Sequence, residues 1–336
     1  MLNANPTSLN AMIASGQRNI RLDPGHYGQL TIRGDAPPLL SITGAGPSTV
    51  FDGVVIQGRP IGFHLSNVRV LSGGVQSVDG AISPSLSGVT VEGVAGNGFN
   101  FTGSDTQPVT NLTLSGCRAK DCWIGIMIGQ CIQGRIYDFW ADQCQSPTNE
   151  SDPAFHGTYL NDDVAASVDV FGMLATRCGG TSFRGTGTRA YDFVAYRCGG
   201  SMAGGKNCEL MERFTSIDAG SIEVGSQVCC VVDQAWGGIQ IKGTCRSPWL
   251  QVLNPTFPPG CDIHGGGIYP LPDQDVDGRY GSLTVVGAAF SQTDPTGGRT
   301  PETFCRDVLG GTESLDDLWN YPFKVSDLNK YLRGGV

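Results

Sequence analysis

Polar side chains suited to acid–base chemistry are concentrated in residues 150–163, which read ESDPAFHGTYLNDD. Carboxylates can protonate a leaving oxygen or activate water, and a histidine or a tyrosine can transfer a proton. Further charged residues follow at intervals that suit neighbouring turns of a repeating structure. The candidate catalytic residues are Asp152, His156, Asp162, Asp163 and Arg184, and the candidate substrate-binding residues are Tyr159, Asn161, Lys206, Glu212 and Arg213.

A groove lined by these residue types suits an extended glycan, and two reactions are open. In hydrolysis, Asp152, Asp162 or Asp163 would protonate the leaving oxygen while a second carboxylate activates water. In a lyase reaction, Arg184 or Lys206 would remove the proton next to a substrate carboxylate that Ca²⁺ or an arginine neutralises. Apart from that Ca²⁺ no cofactor is expected, and the cysteines lack the CxxC spacing typical of zinc sites.

Structural roles are also open for the same residues. Asp162 and Asp163 follow a predicted strand and suit a turn that closes it by local hydrogen bonds. His156 suits a buried, stacked position. Arg184 suits an ion pair with a carboxylate on an adjacent turn, so the sequence alone does not decide between catalysis and structure here.

A repeat indicates how these residues are positioned. Arg177-Cys178-Gly179-Gly180 returns as residues 197–200, and glycine-bounded apolar runs recur between residues 98 and 267, roughly every 20 to 26 residues, a period typical of solenoids. The runs alternate apolar with polar residues and are rich in Val, Ile, Phe and Tyr, which predicts short strands. Stacking such units buries a continuous core, so the predicted fold is an all-β parallel solenoid.

The repeat also predicts an internal ladder. Cys144, Cys178 and Cys198 end equivalent strands, so their side chains are predicted to point inward and to stack on successive turns. The Gly-Gly pairs that follow Cys178 and Cys198 are predicted to form the corner that leads into the next strand.

The ends of the chain differ from the repeat. Residues 1–33 are predicted to form an N-terminal cap with the first strands, and residues 34–253 the coils. A helix is predicted within residues 6–16. Residues 254–336 are predicted to form an irregular, loop-rich cap or assembly segment, with short helices within residues 312–336 that Thr312 or Ser314 would begin.

Charge and composition exclude several classes of protein. The net charge is −9, and an acidic surface repels phosphates, so nucleic acid is not a predicted partner. No run of about 18 apolar residues predicts a membrane span, and the N-terminus lacks the basic and apolar regions of a secretory signal. The 12 cysteines show no pairing pattern and are predicted to be free, as in a reducing compartment.

Residues 8–34 read SLNAMIASGQRNIRLDPGHYGQLTIRG, and residues 156–161 and 177–187 read HGTYLN and RCGGTSFRGTG. In these segments the sequence resembles right-handed parallel β-helix proteins of the pectin-lyase-like superfamily. Their entry cap has a short helix followed by a motif of the form (I/L)xLxPGxYxxLxI, and HGTYLN followed by RCGGTSFRGTG resembles a second recurrent pair. The residues that match the entry cap are Ile20, Leu22, Pro24, Gly25, Tyr27, Leu30 and Ile32. The resemblance implies a right-handed single-stranded β-helix, and it is specific for fold and weak for activity.

Three functions follow from that resemblance, because the superfamily includes polysaccharide lyases, glycoside hydrolases, epimerases and bacteriophage virion proteins. The favoured hypothesis is a virion structural protein, of tailspike, fibre-associated or capsid-decorating type, that contacts host surface polysaccharide. Such a protein would be made in the host cytoplasm without a signal peptide and would join other virion proteins. The alternatives are a free polysaccharide lyase or glycoside hydrolase, and a non-catalytic intracellular scaffold.

A homotrimer is the expected assembly, since the phage proteins of this type resemble three prisms placed side by side. The candidate contact is the aromatic C-terminal segment that contains Trp319, Tyr321 and Phe323.

Overall fold

The computed structural model shows an all-β parallel solenoid, which confirms the predicted fold class. The structure describes residues 2–335 apart from residues 105, 147–155, 161–167, 181, 186–187, 205–209, 218–220, 225–228, 237–240, 244–248, 254–255, 258–281, 287–288 and 291–295. Within residues 184–188 and 200–290, side chains are described only for Thr215 and Ile217.

The turns of the solenoid contribute strands to three faces. Faces 1 and 2 belong to a 16-stranded parallel sheet, and face 3 is a 10-stranded parallel sheet. Face 1 begins with strands Leu2–Ala4, Asn19–Leu22, Ser41–Thr43, His64–Ser66, Ser85–Ser87 and Thr113–Ser115. Face 2 begins with strands Gly25–His26, Thr49–Phe51, Arg69–Leu71, Thr90–Glu92 and Arg118–Lys120. Longer strands then run across both of these faces: Gly134–Asp142, Val168–Thr176, Thr188–Tyr196, Leu210–Ile217 and Cys229–Trp236. Face 3 consists of Gln29–Ile32, Gly53–Gln57, Val75–Val78, Asn97–Thr102, Ile124–Gly129, Thr158–Leu160, Phe183–Gly185, Gly200–Gly204, Ser221–Val224 and Ile241–Gly243.

Small strand pairs and four helices complete the described elements. The parallel pairs are Val109–Thr110 with Cys131–Ile132, Trp249–Leu253 with Ser282–Val286, and Thr256–Phe257 with Ala289–Phe290. The helices are α1 (Leu9–Ala14), α2 (Pro301–Asp307), α3 (Leu315–Leu318) and α4 (Val325–Leu332). Helix α1 confirms the predicted N-terminal helix, since Leu9 is buried and Met12 and Ile13 pack against the core.

The strand register explains the core. Side chains alternate between the interior and the outside of each strand, so residues paired across turns form columns that are buried or exposed as a whole. The inward column of face 1 runs through Ile20, Ile42, Leu65, Leu86, Leu114, Ile136 and Val170, all of them buried. The outward columns of the same strands are therefore free to vary, and any contact with a ligand must come from them.

Left-handed backbone conformations mark two corners of each of six consecutive turns within residues 64–204. The corner between faces 1 and 2 uses Asn67, Gly88, Gly116, Asp138, Gly172 and Asp192, each with a positive φ. Glycine, asparagine and aspartate are the residue types that adopt this conformation most readily. The corner between faces 2 and 3 uses Ser72, Gly93, Asp121, Gln143, Arg177 and Arg197.

The predicted role of the Gly-Gly pair in the RCGG repeat is therefore wrong. The positive φ belongs to Arg177 (54°) and Arg197 (51°), one residue before each cysteine. Gly199 is needed for a different reason, because a Cβ atom there would lie 1.9 Å from the carbonyl oxygen of Gly179 on the preceding turn. The glycines permit close stacking of consecutive turns, and the arginines make the bend.

The predicted cysteine ladder is confirmed. Cys144, Cys178 and Cys198 are buried, and Cys122 continues the ladder on the turn before them. Each thiol donates to the carbonyl two residues before it, as in the Cys178 Sγ contact with Thr176 at 3.6 Å. The seven cysteines whose side chains the structure describes are free and buried.

Burial makes the thiols of Cys117 and Cys131 poor nucleophiles and keeps reagents away from all seven buried cysteines, which yields a testable prediction. Desolvation raises the pKa of Cys117 to about 11 and that of Cys131 to about 12. At pH 8 a thiol with a pKa near 11 is ionised in only about one molecule in a thousand, and thiolates are the reactive form. We expect the cysteines of the described residues to resist Ellman's reagent in the native protein, and nearly all 12 cysteines to react after denaturation without reductant. Mass spectrometry of alkylated peptides assigns the sites, and several protected cysteine pairs would contradict the prediction.

The C-terminal helices cover the outer side of face 2. A second apolar cluster joins outward side chains of the long strands to the helices: Trp140, Leu174, Val194, Tyr196 and Ile217 meet Phe304, Cys305, Leu315, Leu318, Val325, Leu328 and Leu332. The predicted helices within residues 312–336 are confirmed as α3 and α4, and Ser314 is the N-cap of α3. In the described chain α4 lies along the long strands Gly134–Asp142, Val168–Thr176 and Thr188–Tyr196 on a side of the solenoid, and the predicted cap or assembly role of residues 254–336 stays a prediction.

Arg118 anchors this segment to face 2. Its guanidinium donates to the carbonyl oxygens of Trp319 and Tyr321. It also lies 5.4 Å from the ring centroid of Trp140 and 5.6 Å from that of Phe323, which are cation–π distances. Burial lowers the pKa of the Arg118 guanidinium to about 10, so it remains charged at neutral pH.

A buried carboxylate organises a second anchor. The Asp142 side chain is 0% exposed and accepts from Arg177 Nε at 3.0 Å and from Thr176 Oγ1 at 2.6 Å. Arg177 also donates to Asp316 of α3 at 2.9 Å, and Lys120 donates to the same carboxylate at 3.0 Å. These hydrogen bonds hold the pKa of Asp316 below its usual value. The network links consecutive turns of face 2 to the covering helices.

Candidate functional site

Faces 1 and 3 remain as the candidate binding surfaces, since α2, α3 and α4 cover the outer side of face 2. On face 3, one column of residues runs through consecutive strands in register: Val55, Gln76, Asn100, Met127, Tyr159, Arg184, Ala203, Glu223 and Lys242. The side chains described in it, from Val55 to Tyr159, are half-buried and form its outward part. Two of the predicted site residues, Tyr159 and Arg184, are therefore direct neighbours on adjacent turns. This column is the part of the predicted site that the structure assembles.

Hydrogen bonds fix the amide groups in the first part of this column. Asn100 Nδ2 donates to Gln76 Oε1 at 3.0 Å, and Gln76 Nε2 donates to the backbone oxygen of Asn97 at 3.3 Å. Both amides and the Tyr159 ring are half-buried. The column thus holds two oriented amides on adjacent turns and an aromatic ring two turns further, with about 4.8 Å between neighbouring turns.

His156 occupies a structural position. Its ring is 2% exposed and stacks on that of Tyr159, with centroids 5.2 Å apart and planes inclined by 18°. Its backbone oxygen accepts from the amide of Gly125 on the preceding turn. Of the two roles open for His156 in the sequence, the geometry fits the buried, stacked one, because the residue falls where the chain enters face 3 and its ring is covered.

The other predicted site residues either lie outside the described residues or belong to another face of the solenoid. Asp152, Asn161, Asp162, Asp163 and Lys206 lie outside the described residues, and their predicted roles stay predictions. Glu212 and Arg213 belong to strand Leu210–Ile217, in which Glu212 pairs with Tyr191 on face 1. The described members of the predicted set are therefore divided between two faces of the solenoid.

Face 1 carries an aromatic column that the sequence analysis missed. The rings of Tyr137, Phe171 and Tyr191 stack on successive turns with centroids 5.3 Å apart and planes within 13° and 3° of parallel. Phe171 is 37% exposed, which is unusual for a phenylalanine. The signal was present in the repeated Tyr-Asp-Phe of residues 137–139 and 191–193, but only the strand register shows that Phe171 lies between them.

A charged column runs beside the aromatic one. Arg135, Asp169 and Arg189 lie in register two residues before the rings. The Asp169 carboxylate accepts hydrogen bonds from Nε and Nη2 of Arg189, at 2.8 and 2.9 Å. On the three preceding turns, the positions in register with Tyr137 are occupied by serines: Ser115, Ser87 and Ser66.

Neither a metal centre nor a membrane-spanning helix is found among the described residues. Among the described residues, no group of three or more His, Cys, Asp or Glu is placed to hold a metal ion. No helix within the described ranges is long and apolar enough to cross a membrane. Comparison with protein-family models, curated proteins and solved structures finds no match to this chain, so the geometry alone carries the functional argument.

Proposed function

We propose that the protein is a glycan-binding structural protein of a bacteriophage virion, and that it contacts host surface polysaccharide through the uncovered faces of its solenoid. The observation that carries this proposal is the outward column of face 3. Its two oriented amides lie on adjacent turns, Tyr159 lies two turns further along the axis, and Arg184 pairs in register with Tyr159. A glycan with several hydroxyl groups can use such a column, because Gln76, Asn100 and Tyr159 each add a side chain that can form hydrogen bonds.

The reduced cysteines support the virion part of the proposal. Seven free thiols are buried in the described core, and none of them forms a disulfide with another. Long chains that work in oxidising compartments usually pair their cysteines, whereas a chain folded in a bacterial cytoplasm keeps them reduced. A virion protein is folded there and reaches the outside when the host lyses.

Substitutions on face 3 test the glycan contact. We expect Tyr159→Ala and Asn100→Ala each to weaken binding to the recognised polysaccharide about tenfold, which corresponds to the loss of about 1.4 kcal/mol. Affinities are measured by biolayer interferometry against polysaccharides from a panel of bacterial surfaces.

Gln107→Ala is the matched control, because Gln107 is an exposed amide in the loop after strand Asn97–Thr102 and outside the outward columns. Its affinity should equal that of the wild type. If both face 3 variants retain full affinity while melting like the wild type, the glycan contact is not on this face.

A further inference from the structure

We propose that face 1 carries a binding site for a carboxylated sugar ring, formed by Arg135, Tyr137 and the small hydroxyl residues on the turn before them. This inference rests on the proposed glycan-binding function and names the ligand class for a second face. It assigns a role to the aromatic and charged columns of face 1, which take no part in the proposed glycan contact through face 3.

The charged column on face 1 contains one more guanidinium than carboxylate, and this guanidinium is the proposed contact for the ligand. The carboxylate in register with Arg135 is that of Asp169, and both of its oxygens are engaged by Arg189. Arg135 is exposed and forms no ion pair within the described part of the chain. The column thus holds two guanidinium groups for one carboxylate, and the unpaired guanidinium can bind a ligand carboxylate through two parallel hydrogen bonds.

The end of the aromatic column provides the ring contact. One face of Tyr137 stacks on Phe171, and the residue in register on the other side is Ser115, whose side chain is too small to cover a phenol ring. Neighbouring turns lie about 4.8 Å apart, which falls within the usual range of ring-stacking distances. A sugar ring placed over Ser115 would therefore pack its apolar side against Tyr137.

The surrounding hydroxyls complete the site. Thr113 pairs with Arg135, Ser115 pairs with Tyr137, and Ser87 lies one turn earlier in the same column. Arg135 and Tyr137 point to the same side of the strand and are separated by about 6.6 Å along it, close to the width of a sugar ring. The carboxylate can then meet Arg135 while the ring hydroxyls meet Thr113, Ser115 or Ser87.

The test compares a short glucuronate oligosaccharide with a glucose oligosaccharide of equal length, by isothermal titration calorimetry on the full chain. We expect the wild type to prefer the acidic ligand at least about tenfold, as one charge-assisted contact provides. Arg135→Gln should abolish that preference and leave the weaker affinity for the neutral ligand unchanged. Tyr137→Ser, which extends the serine column, should weaken both ligands about tenfold. Arg33→Gln, an exposed arginine after the first strand of face 3, is the control and should bind like the wild type.

The outcomes separate this site from the proposed function. Equal wild-type affinity for the two ligands, or a preference that survives Arg135→Gln, would overturn the site on face 1 even if polysaccharide binding through face 3 persists. Absence of wild-type binding to any glycan, acidic or neutral, would overturn the proposed function together with this inference. Thermal melting of each variant verifies that the substitution at an exposed position has not altered the fold.

Discussion

Replacing Asp142 with alanine is expected to lower the free energy of unfolding by about 3–5 kcal/mol, the range for breaking a buried ion pair by removing one partner. Asp142 is 0% exposed and receives hydrogen bonds from Arg177 and Thr176, whose hydroxyl in turn accepts from Trp140 Nε1. The substitution leaves the Arg177 guanidinium with the exposed Asp316 as its remaining carboxylate partner. Urea unfolding followed by tryptophan fluorescence measures the change, because Trp140 and Trp319 are in contact at this surface.

Asp169→Ala is the matched control, since Asp169 also forms a two-hydrogen-bond pair with an arginine but lies on the exposed face 1. Exposed ion pairs contribute little, so we expect a loss below about 1 kcal/mol. A similar small loss for Asp142→Ala would contradict the inference that the network on face 2 stabilises the covering helices.

The second large effect is expected at Gly125, where alanine should cost about 3 kcal/mol through overpacking. A Cβ atom there would lie 2.5 Å from the Gly157 carbonyl oxygen and 2.9 Å from the Ala141 Cβ. The oxygen cannot move away freely, because it accepts the Ile126 amide of the neighbouring turn at 3.1 Å. Urea unfolding again provides the measurement.

Gly96 offers a control within the same part of the chain. A Cβ atom at Gly96 meets only Val94 Cγ1, at 3.9 Å. Gly96→Ala should therefore be neutral or slightly stabilising, since alanine restricts the unfolded chain. Equal effects of the two substitutions would contradict the close stacking of glycines against the cysteine ladder.

The repeat in the sequence was sufficient to predict the solenoid and its inward cysteines. Cys144, Cys178 and Cys198 recur with strand-forming residues before them, and this local pattern determines which side of a strand is buried. The bend was assigned to the wrong residue because Arg177 and Arg197 adopt a conformation that arginine rarely prefers, which only the stacked corner imposes.

Features that depend on how strands of neighbouring turns pair could not be predicted from the sequence. The column formed by Tyr137, Phe171 and Tyr191 requires the exact strand register, and a slip of one residue would point each ring inward. Similarly, Met173 and Leu174 are adjacent and both buried, which indicates a strand covered on both sides. The pattern does not say which segment covers it, and the structure identifies the C-terminal helices.

Binding of the fluorescently labelled protein to intact bacteria is the most direct test of the proposed function. Each strain of a panel is compared with its mutant that lacks surface polysaccharide, so the glycan need not be known beforehand. We predict saturable binding to at least one parental strain and none to the corresponding mutant. Binding to neither member of any pair, or equal binding to both members, would contradict a role in recognising host surface glycans.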